Sequence, residues 1–224
     1  MRALIMAGGA DEKWLASGGT GRRHFQLVCG ERVIDRLVRQ LQERGVKDIG
    51  IICPPIPGYD VPGTYRVKVS HDEWGHEGLN GQHLWHLADR VLYLYGDTIF
   101  SDRAMDVIVG FSRRTFQMFG RFGNGVIKGG GGELFGFSFW PEQADAWHDA
   151  LEMAFALKAR GVIRRAGSWE AYRIMGGARG ARVGLHRHYP TVFTNIDDRL
   201  TDDFDNLGQY RKLVALFERV DSLQ

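Results

Sequence analysis

Short apolar runs that alternate with a longer amphipathic segment constrain the fold of this chain most strongly. The runs "RALIMA" (2–7), "DIGIICPP" (48–55) and "VLYLYGD" (91–97) have the length and composition of buried strands. Residues 31–45 predict an amphipathic helix between the first two runs, with these apolar positions on one face: Val33, Ile34, Leu37, Val38 and Leu41. Strands that alternate with helices indicate parallel βαβ units, and continuous apolar strands indicate a sheet covered on both faces. The predicted fold class is therefore α/β, a single Rossmann-like three-layer domain with a mostly parallel mixed sheet.

The rest of the chain is less regular and mixes both patterns. Further predicted elements are a short strand at 65–70, a helix at 78–90 with Leu84 and Leu87 facing inward, a hairpin-like strand pair at 115–122 and 133–140, a helix at 141–161, a strand at 189–198 and a closing helix at 207–220. We expect Trp85 and Trp147 to lie in or beside the core.

The composition excludes several classes of protein. With 224 residues, 44% of them hydrophobic, the chain can form one domain (1–224) with a sizeable core. Its formal net charge of +2 creates no overall field that would select nucleic acid or a membrane surface. We find neither a signal-peptide layout nor a stretch long enough to span a bilayer. Because Cys29 and Cys53 form no disulfide framework, we expect a cytoplasmic protein; its oligomeric state is left open.

Three features fall where predicted strands end. They are the glycine-rich loop Gly8–Phe25, the carboxylate of Asp97 and the acidic segment at 195–206. Ligands of open parallel sheets bind beyond the carboxyl ends of the strands. This architecture therefore predicts that the three features converge on one site although they are distant in sequence.

Both acidic features are candidate metal ligands. Asp97 ends an apolar strand, and a lone carboxylate there suits Mg²⁺, which prefers one or two carboxylates with phosphate oxygens and water. Alternatively, Asp97 caps the next turn. The segment 195–206 contains more acids than a turn needs: Asp197, Asp198, Asp202, Asp203 and Asp205. It supplies a second metal carboxylate, or it is a solvated loop in which Asp205 or Asn206 caps the last helix.

The loop Gly8–Phe25 combines backbone N–H groups with the cations Lys13, Arg22 and Arg23, which suits a triphosphate. It is not a Walker A loop because no Gly-Lys-Ser/Thr follows, and it lacks the third glycine of a dinucleotide fingerprint. The alternative is a mobile surface loop whose arginines face solvent.

Two further motifs are less informative. His83 and His86 are three residues apart, but no cysteine or glutamate completes a recognised zinc set, so zinc is disfavoured. The stretch "SWEAYR" (168–173) either lines a substrate pocket or forms an amphipathic helical turn.

Several segments resemble the nucleotidyltransferase superfamily, in particular sugar-phosphate nucleotidyltransferases and cytidylyltransferases with a GT-A-type fold. The segments "ALIMAGG" and "RRHFQLVCGERVIDRLVRQLQERGVKDIGII" are similar to the N-terminal half of these proteins. "VLYLYGD" is similar to their metal-binding strand end, and "FDNLGQY" (204–210) to their closing segment. The resemblance implies a nucleotide-binding half at about 1–100 and an acceptor-binding half at about 101–224.

The resemblance also implies a reaction. A sugar phosphate or similar phosphorylated small molecule attacks the α-phosphorus of an NTP, and pyrophosphate leaves. Mg²⁺, or Mn²⁺ in its place, and protein cations stabilise the developing charge. The implied partners are an NTP and this acceptor, without nucleic acid or membrane.

Site residues follow position by position from the same resemblance. The implied catalytic residues are Lys13, Arg23 and Asp97. The implied nucleotide-binding residues are Ala7, Gly8, Gly9, Lys13, Arg22, Arg23, Asn80 and Gly81. Asp97 is the implied main Mg²⁺ ligand, and Asp205, or else Asp197, is the second. Glu133, Trp169 and Arg173 are expected to face the acceptor.

The chain departs from the family pattern in the loop. Arg22-Arg23 stands where the family has Pro-Lys, and Ala10 replaces an expected glycine. Arginine keeps the charge and binds phosphate bidentately, but its geometry differs from that of lysine. Gly18–Gly21 is interpreted as a flexible span that carries both arginines back to the phosphates.

Two alternative functions stay open. A non-catalytic nucleotide-binding or regulatory protein of the same fold is supported by the exchange of Pro-Lys for Arg22-Arg23. A nucleotide-sugar-dependent glycosyltransferase is disfavoured because the usual Asp-x-Asp motif is absent: Tyr95 stands two residues before Asp97.

Overall fold

Strands and helices alternate along the computed structural model of the chain, which describes residues 1–9, 11–69, 80–123, 132–185 and 187–221. In chain order the strands are β1 (Arg2–Met6), β2 (Leu27–Val28), β3 (Glu31–Arg32), β4 (Asp48–Ile52), β5 (Tyr65–Arg66), β6 (Val91–Tyr95), β7 (Thr98–Ile99), β8 (Gln117–Arg121), β9 (Glu133–Phe139), β10 (Phe193–Asn195) and β11 (Asp202–Asp203). The α-helices are α1 (Glu12–Ala16), α2 (Val33–Glu43), α3 (Asp102–Gly110), α4 (Pro141–Ala159), α5 (Ser168–Met175) and α6 (Leu207–Asp221). Short 3₁₀ helices span Arg23–Phe25, Gln82–Leu87, Gly180–Gly184 and Pro190–Val192.

The main sheet contains seven of these strands in the order β10-β8-β9-β6-β1-β4-β5. The central strand β1 pairs in parallel with β4 and β6, and Met6 lies level with Ile52 and Tyr95. Only β9 runs antiparallel to its neighbours. The carboxyl ends of the parallel strands therefore meet at one edge, and the predicted mostly parallel mixed sheet is confirmed.

Side chains alternate between the two faces of the sheet, and helices cover both faces. Leu4 belongs to a core with Trp147 of α4, whereas Ala3 and Ile5 belong to a second core with α2 and α3. These strand residues are fully buried, as continuous apolar runs require. The helices α2 and α3 cover one face and α4 and α5 cover the other, so the predicted three layers are confirmed.

The predicted amphipathic helix is confirmed, with a later start. All five of its predicted inward positions are buried. The helix begins at Val33, two residues after the predicted start, because Glu31–Arg32 forms β3 and pairs with β2. Gly45 follows the end of α2 with a φ of 77°, a conformation that glycine adopts without strain.

Two predicted elements are shorter than the sequence suggests. Only Tyr65–Arg66 of the strand predicted at 65–70 pairs with β4, and residue 70 lies outside the described residues. The strand predicted at 189–198 is reduced to β10, with a 3₁₀ turn before it. Pro190 starts that turn because it cannot donate a backbone hydrogen bond to a neighbouring strand.

The helix predicted at 78–90 is wrong in type, and its first two residues lie outside the described part. Gln82–Leu87 forms a 3₁₀ helix that buries Trp85, whose Nε1 donates to the Tyr93 hydroxyl over 2.5 Å. Leu84 is only partly buried, and Leu87 is 66% exposed rather than inward. A 3₁₀ helix turns every three residues, so the positions that an α-helix would align face different directions.

A small two-stranded sheet carries the acidic segment to the edge of the main sheet. β11 pairs antiparallel with β7, so that Asp203 lies level with Thr98. Because β7 follows Asp97 directly, this pairing places the segment beside the end of β6. Among the described residues, no helix is both long and apolar enough to cross a membrane.

Candidate active site

The ends of β1 and β6 are hydrogen-bonded to each other. The Gly96 N–H donates to the Met6 carbonyl over 2.8 Å. A Cβ atom at Gly96 would lie 2.8 Å from the same oxygen and 3.2 Å from both Ala7 and His24. Glycine before Asp97 therefore lets the two strand ends meet, which brings the loop after β1 next to Asp97.

Arg23 lies at the centre of the predicted site. Its Nη1 is 2.8 Å from Asp97 Oδ2 and 3.6 Å from Asp205 Oδ1, and its Nε is 3.2 Å from Asp11 Oδ1. Nη1 also donates to the Phe204 carbonyl over 3.2 Å, and the side chain is only 8% exposed. One guanidinium thus joins three carboxylates from three separate segments of the chain.

These neighbours stabilise the charged form of Arg23. Burial alone lowers the pKa of Arg23, but the carboxylates of Asp97, Asp11 and Asp205 outweigh it, and the pKa is raised. Asp11, which the sequence did not suggest as a site residue, is a positioning residue for the arginines. Its position before α1, within the same loop, was the available signal.

Arg22 and Lys13 flank the same cluster. Arg22 Nη1 donates to the Gly9 carbonyl and to Asp11 Oδ2, each over 3.1 Å. Lys13 Nζ is 3.2 Å from Asp205 Oδ2, and its side chain is 77% exposed. The three predicted cations are therefore gathered at the carboxyl edge of the sheet, next to the end of β1.

The backbone predicted to bind the nucleotide lies beside these cations. Gly8 and Gly9 directly follow β1, and a Cβ at Gly9 would lie 3.4 Å from Arg23 Nη2. Ala7 is fully buried and donates its N–H to the Ile52 carbonyl over 2.8 Å. Gly9 therefore leaves the guanidinium close to exposed backbone.

Asn80 and Gly81 lie before the 3₁₀ turn that packs on β6. The Asn80 carbonyl accepts from the Tyr93 hydroxyl over 2.5 Å, and Gly81 has a φ of 78°. The side chain of Asn80 is buried, and among the described residues no group hydrogen-bonds its Oδ1. This oxygen is an acceptor that a bound donor could satisfy.

The interpretation of Gly18–Gly21 as a flexible span is wrong. The Gly19 N–H donates to the Trp14 carbonyl over 3.0 Å, and Trp14 Nε1 donates to the Thr20 carbonyl over 3.3 Å. A Cβ at Gly19 would lie 2.2 Å from the indole ring. Glycine at position 19 therefore lets the chain pass directly against a buried tryptophan.

Trp14 also anchors the acidic segment. Its indole contacts Phe204 and Tyr210 edge to face, with ring centroids 5.7 and 5.6 Å apart. The Leu207 N–H donates to Ser17 Oγ over 2.9 Å. Because Phe204 is fully buried against Trp14, Asp205, the next residue, is held beside Arg23 and Lys13.

The five aspartates of segment 195–206 do not act as one cluster. Asp198 accepts backbone N–H groups from Leu200 and Thr201 and holds the hydroxyl of Ser101. Asp202 is buried in an ion pair with Arg121 at 3.0 Å. Both carboxylates therefore shape the segment rather than face a ligand.

The structure brings Asp205, but not Asp197, to the cation cluster. Asp197 is exposed and follows β10, the edge strand, which is three strands from β6. At the usual spacing of strands this separation is about 14 Å. The sequence left either Asp205 or Asn206 as the cap of the last helix. Asn206 is the cap, since its Oδ1 accepts the Gln209 N–H over 3.0 Å at the start of α6.

A cavity of about 150 Å³ opens beside Asp97 on the side away from the arginines' loop. It is lined by Tyr95, Asp97, Thr98, Glu133, Leu134, Trp169 and Asp203. Two of the three residues expected to face the acceptor, Glu133 and Trp169, therefore lie on its wall. Tyr95 and Thr98 are lining residues that the sequence did not suggest, and Asp203 was predicted only as a member of the acidic segment 195–206.

Arg173 is not on the cavity wall. It is 2% exposed, its Nη1 contacts Glu170 at 3.1 Å, and the same atom donates to the Val183 carbonyl over 3.0 Å. Its guanidinium lies 5.2 Å from the centroid of the Trp169 ring. Arg173 therefore packs against Trp169 from the interior of the protein. Its buried positive charge is paired there with Glu170.

Asp97 and Asp205 are the carboxylates best placed to hold a metal ion. A single nitrogen of Arg23 contacts both, so their oxygens already flank one cationic position. Among the described residues, no group of three acidic, histidine or cysteine side chains forms a metal site. Two hard carboxylates nevertheless fit Mg²⁺, which takes its remaining ligands from phosphate and water.

His24 is buried next to the cluster of Arg23, Asp97 and Asp11. Its Nδ1 is 2.9 Å from the Tyr59 hydroxyl, which gives its one proton to the Ala7 carbonyl over 3.1 Å. The ring nitrogen is therefore the donor in the first bond. Burial, with smaller effects of nearby charges, lowers the pKa of His24 from 6.5 to about 4.

We expect this histidine to make the fold sensitive to acid. In the unfolded chain His24 binds a proton below about pH 6.5, whereas in the folded chain it binds one only below about pH 4. The free energy of unfolding therefore falls as the pH falls through this window, by up to about 3 kcal/mol. Urea unfolding of wild type and His24→Gln at several pH values measures it, with His83→Gln as the exposed control. Equal pH slopes in wild type and His24→Gln would contradict the assignment.

The three-layer α/β domain gathers a loop after β1, a carboxylate after β6 and an acid before the last helix at one edge of the sheet. No protein-family model and no curated protein sequence matches the chain.

Solved structures confirm the expected fold. The chain is similar to a nucleotidyl transferase from Methanothermobacter thermautotroptrophicus, with a TM-score of 0.59 and 14% identity over 98% of both chains. It is also similar to CTP:phosphocholine cytidylyltransferase from Streptococcus pneumoniae, with a TM-score of 0.57 and 14% identity over 96% of this chain and 98% of that one. A third similar structure is UDP-glucose pyrophosphorylase from Acinetobacter baumanii, with a TM-score of 0.59 and 10% identity over 96% and 92%. At these identities the likeness is one of fold.

Proposed function

We propose that the protein is an Mg²⁺-dependent nucleotidyltransferase that transfers an NMP from an NTP to a phosphorylated small molecule and releases pyrophosphate. One observation carries this proposal. Arg23 contacts Asp97 and Asp205, and Lys13 contacts Asp205, at the carboxyl edge of a sheet whose fold is like that of solved nucleotidyltransferases. Arg22 is held next to them by Asp11. Cations for phosphates and carboxylates for a metal are thereby combined where such sheets bind ligands.

The residues present support catalysis by charge and position. The acceptor oxygen forms a bond to the α-phosphorus, the bond from that phosphorus to pyrophosphate breaks, and pyrophosphate leaves with the electron pair. Arg22, Arg23 and Lys13 lie where they would neutralise the phosphate oxygens. Asp97 and Asp205 would hold the Mg²⁺, whose charge would stabilise the α-phosphate and the leaving group.

Arg23 links these two parts of the site. Its guanidinium already neutralises Asp97 and Asp205, the two carboxylates assigned to the metal. The phosphates of a nucleotide offer the guanidinium bidentate partners that compete with the carboxylates. We therefore infer that binding of the nucleotide draws Arg23 away from both carboxylates and makes them available.

Replacing Arg23 with glutamine should strengthen divalent-cation binding in the absence of nucleotide. The variant loses the charge that competes for Asp97 and Asp205, and we expect Mn²⁺ to bind at least about 10-fold more tightly. Electron paramagnetic resonance of free Mn²⁺ measures the affinity, and Lys158→Gln, an exposed change on α4, is the charge-matched control. An unchanged affinity in Arg23→Gln would show that Arg23 does not compete.

A non-catalytic nucleotide-binding protein is the second candidate. It is favoured by the contacts of Arg23 with Asp97 and Asp205. The guanidinium lies between these carboxylates, where a metal ion would lie in an active enzyme. In such a protein the arginine would stay in place and the nucleotide would bind without being turned over.

A substrate panel separates these functions. The four NTPs are each combined with sugar phosphates and amino-alcohol phosphates in Mg²⁺, and pyrophosphate release is measured. Release that needs both Mg²⁺ and an acceptor supports the transferase. Tight binding of one NTP without release supports the non-catalytic protein, and consumption of a nucleotide sugar supports a glycosyltransferase.

A further inference from the structure

Two short segments, far from the loop after β1, contain many cations and no acid. Residues 158–165 and 179–185 contain neither aspartate nor glutamate, but they contain these cations: Lys158, Arg160, Arg164, Arg165, Arg179 and Arg182. Because the formal net charge of the whole chain is +2, the remaining residues together carry −4. The small net charge therefore conceals a local excess of positive charge. We call the surface of these two segments the basic surface.

Packing brings the two segments of the basic surface together. The first contains the end of α4, and the second contains the 3₁₀ helix Gly180–Gly184. A Cβ atom at Gly184 would lie 3.3 Å from Cγ2 of Ile163, which is buried. The first segment therefore lies directly against the second, and their cations share one region of the protein surface.

Some of these cations stabilise the end of a helix. Arg179 Nη1 donates to the carbonyls of Ile174 and Ala178 over 3.2 and 2.8 Å, at the end of α5. Lys158 and Arg160 lie at the carboxyl end of α4, where positive charge interacts favourably with the helix dipole. Local structure therefore accounts for part of the basic surface.

The other arginines have no such role. Arg164, Arg165 and Arg182 are exposed, and among the described residues no carboxylate or carbonyl contacts their guanidinium groups. A guanidinium group binds phosphate bidentately, and several of them on one surface favour a partner that presents many phosphates.

Apolar side chains are exposed among these arginines. Val162 is 41% exposed and Leu185 is 50% exposed. The turn after α4 fixes Val162 there, because its N–H donates to the Leu157 carbonyl over 2.9 Å and Gly161 adopts a φ of 70°. This turn buries the next residue, Ile163, and leaves Val162 in contact with solvent. A partner that fits the basic surface therefore offers apolar contact as well as negative charge.

We propose that the basic surface binds the face of a membrane that contains anionic lipids. The guanidinium groups of Arg164, Arg165 and Arg182 contact lipid phosphates, and Val162 and Leu185 enter the boundary between headgroups and acyl chains. This mode of binding needs no helix that crosses the bilayer, and it is independent of the proposed transfer reaction. It revises the expectation of a protein without a membrane partner, which rested on the net charge of the whole chain.

The side chains between the cations favour a membrane over other polyanions. Proteins that bind single-stranded nucleic acid stack bases on aromatic rings, and neither segment contains phenylalanine, tyrosine or tryptophan. A protein interface has an apolar core from which charged residues are depleted, whereas Val162 and Leu185 each lie within three residues of an arginine. Aliphatic side chains interspersed with cations match the interface of a bilayer.

Sedimentation with lipid vesicles tests the proposal on the full chain in the absence of substrates. The vesicles contain phosphatidylglycerol and phosphatidylcholine in equal parts, or phosphatidylcholine alone. We expect wild type to bind the mixed vesicles at least about 10-fold more tightly, and high salt to weaken this binding. Arg164→Gln combined with Arg165→Gln should weaken it at least about 10-fold, because each cation near an anionic surface contributes to the attraction.

Matched variants on the other face of the sheet are the controls. Arg103→Gln with Arg113→Gln removes two exposed charges on or just after α3 and should leave vesicle binding unchanged. Val162→Ser with Leu185→Ser should weaken binding to the mixed vesicles about 10-fold, because apolar area buried in the interface is lost. Val107→Ser changes a valine of α3 that is 42% exposed and should have no effect. Circular dichroism verifies that each variant is folded.

The results distinguish a membrane from the other partners. Tighter binding to the mixed vesicles that weakens in both the arginine and the apolar double variants supports the proposal. Absence of a preference for the mixed vesicles, or undiminished binding in either double variant, overturns it. Binding of a single-stranded RNA, measured by fluorescence anisotropy, without binding of the mixed vesicles also overturns it and assigns the surface to nucleic acid. Because no NTP is present, none of these results depends on the proposed transferase activity.

Discussion

Replacing Asp97 with alanine is expected to lower the rate of pyrophosphate release by at least about 100-fold, the scale that applies when a main electrostatic stabiliser of the transition state is removed. Asp97 contacts Arg23 and also lines the cavity. Its removal therefore takes away a partner of Arg23, a ligand of the proposed metal and part of the cavity wall at the same time.

The design of this experiment separates catalysis from folding. Arg23 keeps Asp11 and Asp205 as partners in the variant, so we expect the thermal unfolding midpoint to change by only a few degrees. Asp145→Asn removes a carboxylate that is 91% exposed and serves as the control for charge. Asp97→Asn adds a variant of nearly the same shape. Activity above about a third of the wild-type rate in either Asp97 variant would remove this residue from the proposed machinery.

The largest effect on stability is expected at Asp202. Its side chain is 1% exposed and pairs with Arg121, which is 6% exposed, at 3.0 Å. Replacing Asp202 with alanine leaves the guanidinium buried without its counter-charge, and such losses typically cost about 3–5 kcal/mol. The Asp203 N–H, which donates to Asp202 Oδ1 over 3.1 Å, also loses its acceptor.

Urea unfolding measures this cost directly, and a double variant shows its origin. In Arg121→Met with Asp202→Leu both charges are removed and the branched shape of the aspartate is kept, so we expect most of the lost free energy of unfolding to return. If Asp202→Ala costs less than about 1 kcal/mol, the pair does not stabilise the fold. If the double variant is as unstable as the single one, lost packing and not an unpaired charge is the cause.

This ion pair also matters for the site. Arg121 Nη1 donates to the Thr201 carbonyl over 2.9 Å, so β8 holds the chain at the start of β11. Asp203 lines the cavity one residue later, and Asp205 contacts Arg23 two residues after that. A buried charge pair therefore supports the position of Asp203 on the cavity wall and of Asp205 beside Arg23.

The strands and helices that follow from a short stretch of sequence were predictable. The strands at the start of the chain and α2 follow from apolar periodicity within about 15 residues, and their buried faces match it. The convergence of the loop after β1 with Asp97 follows from parallel pairing alone. The 3₁₀ turn at Gln82–Leu87 was missed because Trp85 reaches Tyr93 of β6, a contact that no local pattern encodes.

The helix "SWEAYR" shows the same limit for side chains. Trp169 and Arg173 are four residues apart and share a face of α5, so the sequence treats them alike. Burial separates them: Trp169 reaches the cavity wall, and Arg173 is held behind it by Glu170 and the Val183 carbonyl.

The sequence by itself determined the α/β class, the parallel strands that end at one edge, and the residue types available there, because these depend on patterns among near neighbours. Only the tertiary structure decided that Asp205 rather than Asp197 meets Arg23, and that the loop glycines wrap Trp14. Arg23 and Asp205 are 182 positions apart along the chain. Their contact follows from the burial of Phe204 against Trp14, and such long-range packing depends on the whole folded chain rather than on any local segment.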